Sequence, residues 1–347
     1  MCSIVVGWVE RQRNPTFACL FRLAFVMKWR LIFKSIFDKI FLIGTVLLTL
    51  LSLTGYFGLF NRHLELTSHF KLQYLIVSFC PFFFFLFTRH SLGLGLSLFC
   101  LLINLYDIAP WYFPQSFGSA NNIQGQKIRI LQSNVDKYHN NYAKVISLVR
   151  EEKPDIAVFL EVGKTGAKKL EVLQDILPYS IAHQDEEIDG TALYSKLPLE
   201  NKAVKSLGKG RRSVLADVTI QGNMISLVAS HPSMATGKAF FEERNSQLDA
   251  IAVQVTNKKN SLVVGDLNVT MWSPYYKRFV SKAGLRNARR GFGILPTWPT
   301  YYPLLSIPID HCLVGEDIKV LKIRTGRKVG SDHLPLITDL LIPAKST

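Results

Sequence analysis

Cysteine is scarce in this sequence, and what there is cannot cross-link the C-terminal region. Of the five cysteines in 347 residues, only Cys312 lies outside the apolar N-terminal third, so an internal disulfide in the rest of the chain is excluded. None of the five has the spacing of a metal site. Internal repeats and low-complexity tracts are also lacking, which excludes a repeat architecture. Cysteine usage leaves the cellular compartment undecided.

Charge is almost absent from three long apolar runs, at residues 40–60, 72–87 and 92–108. The first run can cross a bilayer core of roughly 30 Å, whereas the second is shorter and contains Pro81. None of the runs shows a polar face, so we predict three transmembrane helices within residues 40–108. A buried hairpin in a soluble core is the alternative for the second and third runs. A cleaved signal peptide does not fit, because two more runs follow the first.

Basic residues before the first run predict the orientation of these helices. They are Arg22, Lys28, Arg30, Lys34 and Lys39. Such residues hold the preceding segment in the cytoplasm, so residues 1–39 form a basic cytoplasmic N-terminus and residues 61–71 a short outer loop. In a bacterium, the chain is then a multi-pass protein of the inner (cell) membrane, with its C-terminal region in the periplasm or outside the cell. An even number of spans would reverse this orientation.

The segments on either side of the apolar region lack a regular pattern. Met27, followed by Lys-Trp-Arg, is a more typical start for a membrane protein than the residues before it. Our hypothesis is that residues 1–26 are not translated. Residues 109–126 are rich in Pro, Ser, Asn and Gly and predict a linker that begins with an interfacial aromatic anchor.

The net charge is strongly positive, with 41 Lys and Arg against 26 Asp and Glu, or +15 at pH 7. Such a balance suits a polyanionic partner, either nucleic acid or an anionic lipid surface, but it does not indicate a fold. Part of the excess precedes the first apolar run, where membrane orientation explains it.

From Lys127 onward the sequence changes to the pattern of one globular α/β domain, residues 127–347. Strands are predicted at residues 127–135, 155–162, 191–195, 213–220, 224–230, 261–265, 307–314 and 334–341. Helices are predicted at residues 140–152, with Asn140 as the N-cap, and at residues 164–177, 237–255 and 274–283.

Polar side chains stand where several of these strands end. The clusters are Gln132-Ser-Asn134-Val-Asp136, Leu160-Glu161-Val162, Ser230-His231-Pro232, Gly265-Asp266-Leu-Asn268, Ile309-Asp310-His311 and Ser331-Asp332-His333. A sheet whose strands end at one edge would gather them into a single cleft, where ligands bind. Each cluster alone has an ordinary alternative as a turn, a helix cap or a buried histidine. Their joint occurrence favours a site.

These motifs, in this order, resemble the endonuclease/exonuclease/phosphatase superfamily, the group of DNase I, the abasic-site endonucleases and the neutral sphingomyelinases. The resemblance covers about two-thirds of the chain, from Lys127 to Leu341. It implies an α/β (α+β) fold, a four-layer sandwich of two mixed β-sheets flanked by helices, here preceded by transmembrane helices. Three spans before such a domain resemble a bacterial membrane-anchored branch.

The resemblance also implies a metal site. Glu161 would be the main ligand of Mg²⁺, aided by Asn134 and Asp136, with Asp332 at a second metal position; Mn²⁺ is the other candidate ion. A sparse set of carboxylates suits Mg²⁺, which keeps several waters and binds substrate phosphate. The first motif reads Ser-Asn-Val where relatives often carry an aromatic residue before Asn, so the local wall of the site is expected to differ.

Catalytic roles follow from the same resemblance. Asp266 would orient or deprotonate the attacking water, and Asn268 would hold a phosphoryl oxygen. His333 would act as the acid/base or phosphate-contacting histidine, oriented by Asp310. His231 stands where family members place a phosphate-contacting residue. We expect Glu161 to lie within about 10 Å of Asp266 and His333, because one ion and one phosphate must bridge them.

Two further segments are candidates for substrate binding. The basic loop at residues 208–212, with Arg211 and Arg212, could grip phosphates or could be a solvated turn. Trp298 could stack on a base or pack in the core.

We therefore expect a membrane-anchored, Mg²⁺-dependent hydrolase that cleaves phosphodiesters in a nuclease-like manner, with no obligate protein partner. The closest alternative substrate is a lipid headgroup, as in a sphingomyelinase-like phosphodiesterase, or a phosphomonoester, as in a phosphatase. A non-catalytic membrane-anchored binding module is a different class of function, but it would not need the complete set of polar clusters. A transporter-like unit has little support, since the apolar runs contain no repeat.

Overall fold

The computed structural model describes residues 15–113, 124–136, 138, 142–184 and 190–344, with side chains from residue 35 onward. Two compact units are present: Met1–Leu51 with Tyr74–Ile103, and Ser52–Gln73 with Asn104–Thr347. Residues 1–14, on which part of the start-site hypothesis depends, and Asn140, the expected N-cap, lie outside the described residues.

Four α-helices precede the first strand within the described residues. They are α1 Pro15–Thr54, α2 Arg62–Thr67, α3 Lys71–Thr88 and α4 Ser91–Ile108. Three stretches are long and apolar enough to cross a membrane, namely Ser35–Phe57, Arg62–Thr88 and Ser91–Trp111. The three apolar runs of the sequence fall on these stretches, and α3 continues through Pro81. The prediction of N-terminal helices with membrane-spanning character is confirmed.

A polar cluster, which we call the span-end cluster, joins the ends of these helices through the buried Lys71 and Asp107 and the exposed Tyr56. Lys71 Nζ lies 2.8 Å from Asp107 Oδ2, and the Tyr56 hydroxyl donates to the same carboxylate at 2.6 Å. Lys71 also donates to the backbone oxygen of Ser52 at 2.7 Å. The end of each membrane-length helix therefore contributes one member to the cluster.

Two six-stranded sheets form the rest of the molecule. The strands are β1 Gly125–Asn134, β2 Ile156–Leu160, β3 Tyr179–Gln184, β4 Gly190–Ser195, β5 Glu200–Ser206, β6 Arg212–Ile220, β7 Asn223–Ala229, β8 Ser261–Asp266, β9 Arg286–Asn287, β10 Asp310–Val314, β11 Lys319–Thr325 and β12 Leu336–Pro343. One sheet has the order β11-β12-β1-β2-β4-β3 and the other β5-β6-β7-β8-β10-β9. Both sheets are mixed, because β1–β2 and β7–β8 are parallel while the remaining pairs are antiparallel.

The sheets pack face to face, and helices cover their outer sides. In β2, Ile156, Val158 and Leu160 enter the core shared with the second sheet, whereas Ala157 and Phe159 pack beneath the helices. Side chains alternate across a strand, so a strand buried on both faces has a continuous apolar sequence.

The helices of this part of the chain are α5 Tyr142–Glu152, α6 Lys164–Leu170, α7 Lys238–Val255 and α8 Pro274–Ala283. Helix α5 buries Val145, Leu148 and Val149 against the first sheet. Helices α7 and α8 contact each other. The four-layer α/β sandwich expected from the resemblance is confirmed.

The observed elements differ from the predicted ones in two respects. The helix predicted at residues 164–177 ends at Leu170 and continues as a 3₁₀ segment, Glu171–Asp175. Four strands were not predicted, β3, β5, β9 and β11, and each is an edge strand of its sheet. Edge strands carry polar and charged residues on their free side; β5 reads Glu-Asn-Lys-Ala-Val-Lys-Ser and lacks the apolar alternation that would mark it.

The polar clusters meet because of strand direction. The parallel strands β1 and β2 end side by side at Asn134 and Leu160, and Glu161 follows directly. In the second sheet the last residue of β8, Asp266, is paired with the first residue of antiparallel β10, Asp310. One end of the sandwich therefore collects acidic and amide side chains from both sheets.

Candidate active site

The centre of the site is a buried triad of Asp266, Asp310 and His333. Each offers one ligand atom, and these atoms lie within 4.8 Å of one another. His333 Nδ1 is 2.8 Å from Asp310 Oδ2, and His333 Nε2 is 3.7 Å from Asp266 Oδ2. A carboxylate–imidazole pair thus directs the second imidazole nitrogen toward another carboxylate.

The pair of Asp310 and His333 is strongly polarised. Burial disfavours the charged form of His333, but the Asp310 carboxylate outweighs burial and raises the pKa of His333 to about 10. Burial also opposes ionisation of Asp310, yet His333 and Arg289 hold its pKa below the usual range. The charge of Asp310 therefore favours the protonated form of His333.

The pKa of Asp266 is shifted in the opposite direction from that of Asp310. Burial raises the pKa of Asp266 to about 6, the Asp310 charge adds to this effect, and His333 and His231 oppose it. The backbone N–H of Asn268 donates to Asp266 Oδ1 at 2.9 Å. A carboxyl group whose pKa lies near neutrality can exchange a proton at physiological pH.

Glu161 and Asn134 complete the acidic side of the site. Asn134 Nδ2 donates to Glu161 Oε1 at 3.1 Å and to Asp266 Oδ2 at 3.3 Å, and Asn134 Oδ1 accepts from the N–H of Asp136 at 3.0 Å. His231 Nε2 lies 3.7 Å from Glu161 Oε1 and 3.6 Å from Asp266 Oδ2. Because one imidazole nitrogen bridges the two carboxylates, they meet the separation expected from the sequence.

Three of the nine described non-glycine residues with positive φ belong to this site. Asp136, Glu161 and Asn268 adopt left-handed conformations with φ of 60°, 59° and 50°. Asn and Asp tolerate this region, but for Glu it costs of order 1–2 kcal/mol. Gly265 is required for a different reason, since a Cβ there would come within 1.8 Å of the Ser230 backbone oxygen. Strained residues that converge on one cleft are typical of functional sites.

The donor set fits a hard divalent cation. Glu161 is the half-buried carboxylate of the centre, while Asp266 and Asp310 are buried. These carboxylates are oxygen donors close to one another, which are the ligands that Mg²⁺ and Mn²⁺ prefer. The chemistry of the residues therefore fits a metal of this class.

The site opens into a cleft of about 390 Å³. Its predicted members are Asp136, Glu161, Arg211, His231, Asp266, Asn268, Trp298, Asp332 and His333. Trp298 Nε1 donates to Asp332 Oδ2 at 2.8 Å, and Asp332 Oδ1 lies 3.9 Å from His333 Nε2. The structure does not bring Arg212 to this cleft; it is exposed at the start of β6, whereas Arg211 Nη1 lies 3.1 Å from His231 Nδ1.

The cleft also contains residues to which the sequence assigned no role. They are Tyr138, Ser233, Met234, Thr236, Phe240 and Tyr301. Behind the triad, Gln132 Nε2 donates to Asp310 Oδ1 at 2.7 Å, and the guanidinium of Arg289 donates to the Asp310 backbone oxygen. The sequence contained a signal for the role of Gln132, because Gln132 is a polar residue inside an apolar strand. Nothing in the sequence connects Arg289 to Asp310.

A second buried arginine supports the loop that carries Asn268. Arg244 on α7 is fully buried; its Nη1 donates to the Asn268 backbone oxygen at 3.1 Å, and its Nη2 lies 3.2 Å from Glu65 Oε1 on α2. Ser273 donates to the same Glu65 oxygen at 2.6 Å. Burial lowers the pKa of Arg244, and the Glu65 charge opposes this. The segment before α3 thus contributes to the support of the site.

The profile of the Endonuclease/Exonuclease/phosphatase family matches residues 122–333. This match spans more than half of the chain and includes the whole run from Asn134 to His333, so the chain belongs to this family. It is accordingly a hydrolase of phosphoric ester bonds. A comparison with curated protein sequences found no significant match.

Solved structures share the fold. TDP2 from D. rerio, complexed with single strand DNA product, is 17% identical, with a TM-score of 0.54 over 62% of this chain and 99% of that chain. An endonuclease/exonuclease/phosphatase from Beutenbergia cavernae is 19% identical, with a TM-score of 0.53 over 63% and 72%. The 3′ phosphatase NExo from Neisseria, bound to product DNA hairpin, is 17% identical, with a TM-score of 0.50 over 61% and 98%. At these identities the likeness concerns the fold.

Proposed function

We propose that this chain is a membrane-anchored phosphodiesterase that requires a divalent ion, Mg²⁺ or Mn²⁺. The observation that carries the proposal is the convergence of Glu161, Asp266, Asp310 and His333 at one end of the two sheets. Hydrolysis of a phosphodiester needs charge neutralisation on the phosphoryl oxygens, a positioned water and a stabilised leaving oxygen. The side chains of this site are suited to all three.

Glu161 would hold the ion, with Asn134 and Asp136 beside it and Asp332 available at a second position. The ion would neutralise charge on the phosphoryl oxygens when bound. Asn134 can contribute by turning its amide, since Oδ1 now accepts from Asp136 while Nδ2 points at the carboxylates. Glu161 is accessible from the cleft, as a ligand shared with substrate must be.

The remaining residues would act on water and phosphate. Asp266, with its pKa near 6, takes a proton from the attacking water. His333 stays protonated beside Asp310 and contacts a phosphoryl or leaving oxygen as a cation, so the structure favours this role over that of a base. Asn268 and His231 hold non-bridging oxygens, where a neutral amide avoids repulsion.

Groups at the cleft edge would bind the rest of the substrate. Arg211 lines the cleft and can contact phosphate, whereas Arg212 would reach only a long, extended substrate. Trp298 is half-buried, lines the cleft and is held by Asp332, so one face could stack on a ring. TDP2 and NExo were each solved with DNA, which supports a nuclease-type substrate as the initial assay.

We further propose that the helices cross the membrane three times, with residues 1–39 in the cytoplasm, residues 40–108 in the membrane, residues 109–126 as a linker and residues 127–347 as the catalytic domain on the far side. In a bacterium this is the inner membrane, with the domain in the periplasm or outside the cell. Fusions of alkaline phosphatase and of green fluorescent protein after Thr347 test the orientation. Fluorescence without phosphatase activity would refute it.

Activity is tested with the full chain in detergent. Bis(p-nitrophenyl) phosphate, p-nitrophenyl phosphate, plasmid DNA, RNA and sphingomyelin are each incubated with Mg²⁺, with Mn²⁺ and with EDTA. We expect diester cleavage that EDTA abolishes and that Glu161→Gln and Asp266→Asn reduce about 100-fold or more. Glu151→Gln, which alters an exposed ion pair with Arg327, is the matched control. Inactivity on every ester would instead support a binding module.

A further inference from the structure

The most exposed apolar segment of the catalytic fold lies beside the cleft, at residues 301–305. Tyr301 and Tyr302 are 65% and 66% exposed, and Leu304 and Leu305 are 86% and 55% exposed. A soluble surface rarely presents several large apolar side chains in succession, and such patches mark sites of membrane or protein interaction. A hydrogen bond joins the two sides of the segment, since Ser306 Oγ donates to the Pro299 backbone oxygen at 2.6 Å.

This segment is bonded to the beginning of α3. Gln73 Nε2 donates to the backbone oxygens of Leu304 and Ser306 at 3.2 and 3.0 Å. Gln73 is the third residue of a helix whose following residues are long and apolar enough to cross a membrane. Residues 301–305 are therefore bonded to the first turn of a helix that is apolar enough to cross a membrane.

Residues at the other helix ends also form hydrogen bonds with the catalytic fold. The Tyr275 hydroxyl donates to the Leu59 backbone oxygen at 3.4 Å, and Trp272 Nε1 donates to the Asp107 backbone oxygen at 3.1 Å. The N–H groups of Gly291 and Gly293 donate to the backbone oxygen that follows α4, at Trp111, at 3.0 and 2.8 Å. The residues after α1, at the start of α3 and after α4 all contact the catalytic fold.

Exposed aromatic residues continue along these contacts. They are Phe57, Phe60, Tyr112 and Phe113. Aromatic side chains are enriched where a protein meets the headgroup region of a bilayer. We call these four aromatic residues and residues 301–305 together the apolar rim, because both sets lie in segments next to the helix ends.

The same segment forms one wall of the cleft. Tyr301 and Trp298 line it together with Asp266 and His333, and the Trp298 ring centroid lies 6.3 Å from that of His333. Thr300 N–H donates to the backbone oxygen of Asp332 at 2.8 Å, so the wall is tied to a candidate metal-binding residue. The mouth of the cleft therefore opens beside the apolar rim.

We propose that residues 301–305 insert into the surface of the bilayer and that the substrate is a phosphoester carried by a membrane lipid. This inference rests on the proposed phosphoesterase function and membrane insertion. Water attacks the lipid phosphorus, the P–O bond to one alcohol breaks, Asp266 takes a proton from the water and the leaving alkoxide receives one from protonated His333. The products are one alcohol and one phosphomonoester, and one of the two remains in the membrane.

The test compares a soluble and a membrane substrate in one preparation. The full chain is reconstituted into vesicles of phosphatidylethanolamine, phosphatidylglycerol, cardiolipin and sphingomyelin, and lipid cleavage is followed by mass spectrometry. Bis(p-nitrophenyl) phosphate is assayed in parallel. The variant is Leu304→Ser with Leu305→Ser, and the control is Leu321→Ser, an exposed leucine on the edge strand β11.

We expect the double variant to lose about tenfold of its lipid cleavage, since membrane contact scales with buried apolar area, while cleavage of the soluble ester changes less than about twofold. Equal lipid cleavage by variant, control and wild type would overturn the role of the segment. Cleavage of the soluble ester or nucleic acid without any lipid cleavage would overturn the lipid substrate and leave the phosphodiesterase intact. No cleavage of any ester with Mg²⁺ or Mn²⁺ would remove the proposed function itself.

Insertion is measured separately by fluorescence. Leu304→Trp and Leu321→Trp are compared with wild type in vesicles that contain brominated lipids. We expect quenching of the added tryptophan at position 304 and none at position 321. Unquenched fluorescence at position 304 would exclude insertion, whatever the enzyme cleaves.

Discussion

Replacement of Glu65 by leucine should destabilise the catalytic fold, although Glu65 lies outside the family match. The carboxylate is buried on α2, 3.2 Å from the buried guanidinium of Arg244, and it accepts from Ser273. Arg244 in turn donates to the Asn268 backbone oxygen. In the variant Glu65→Leu, Arg244 keeps its buried charge and its bonds to Asn245 and Asn268 but loses the carboxylate that compensates this charge.

The expected loss is large because the remaining charge stays buried. Removing one partner of a buried ion pair costs about 3–5 kcal/mol. For a folded unit of this size one kcal/mol corresponds to about 2 °C, so the melting temperature should fall by about 6–10 °C. The activity should also fall, since Arg244 fixes the loop that carries Asn268.

Thermal unfolding of the full chain in detergent, followed by near-ultraviolet circular dichroism, measures this loss. The matched control is Glu242→Leu, an exposed carboxylate 4.0 Å from Lys238 on the same helix as Arg244, with an expected shift of about 1 °C or less. Glu65→Leu combined with Arg244→Met should lose about 2 kcal/mol less than the two single changes together. A shift for Glu65→Leu no larger than that of the control, or strict additivity, would refute the reasoning.

Three other outcomes are expected. Gly265→Ala should lower the melting temperature by several degrees because the added carbon meets the Ser230 oxygen, whereas Gly237→Ala, with open space around its Cβ position, should not; equal shifts would contradict this. His333→Gln should reduce kcat about 100-fold or more, and adding Asp310→Asn should reduce it little further because the two act as a unit; multiplicative losses would show independent roles. Without metal, protonated His333 stabilises the fold fully below its unfolded pKa, and this stabilisation is lost as the pH rises toward about 10. The difference in melting temperature between wild type and His333→Gln should therefore narrow from pH 6.5 upward. A constant difference would exclude this link between His333 protonation and stability.

The interior of the fold was predictable from sequence, and its edges were not. Strands such as β2, with the sequence Ile-Ala-Val-Phe-Leu, are buried on both faces and therefore apolar throughout. The edge strands β5 and β11 have a solvated side, and their lysines obscure the alternation. The boundaries of α8 were predicted because Ser273, Pro274 and Gly284 are standard signals for the ends of a helix.

The candidate residues of the site were predictable for a similar reason. Asn134, Glu161 and Asp266 each follow an apolar strand, so strand order alone brings them together. The residues that support them were not predictable, because Glu65 lies in a short helix near the apolar runs and Arg244 in the middle of α7. Residues 61–71 were expected to be only a short outer loop. Contacts between such distant segments depend on packing that no local pattern encodes.

Under the proposed three-span topology, the span-end cluster affects how the chain enters a membrane. Asp107 is an acidic residue at the end of an otherwise apolar helix, and an unpaired carboxylate there would resist transfer from water. Its partner is Lys71, 2.8 Å away, which is the first residue of the preceding helix, α3. The second and third apolar helices should therefore insert together as a hairpin. A truncated chain that has only one of these two helices should insert into the membrane less efficiently.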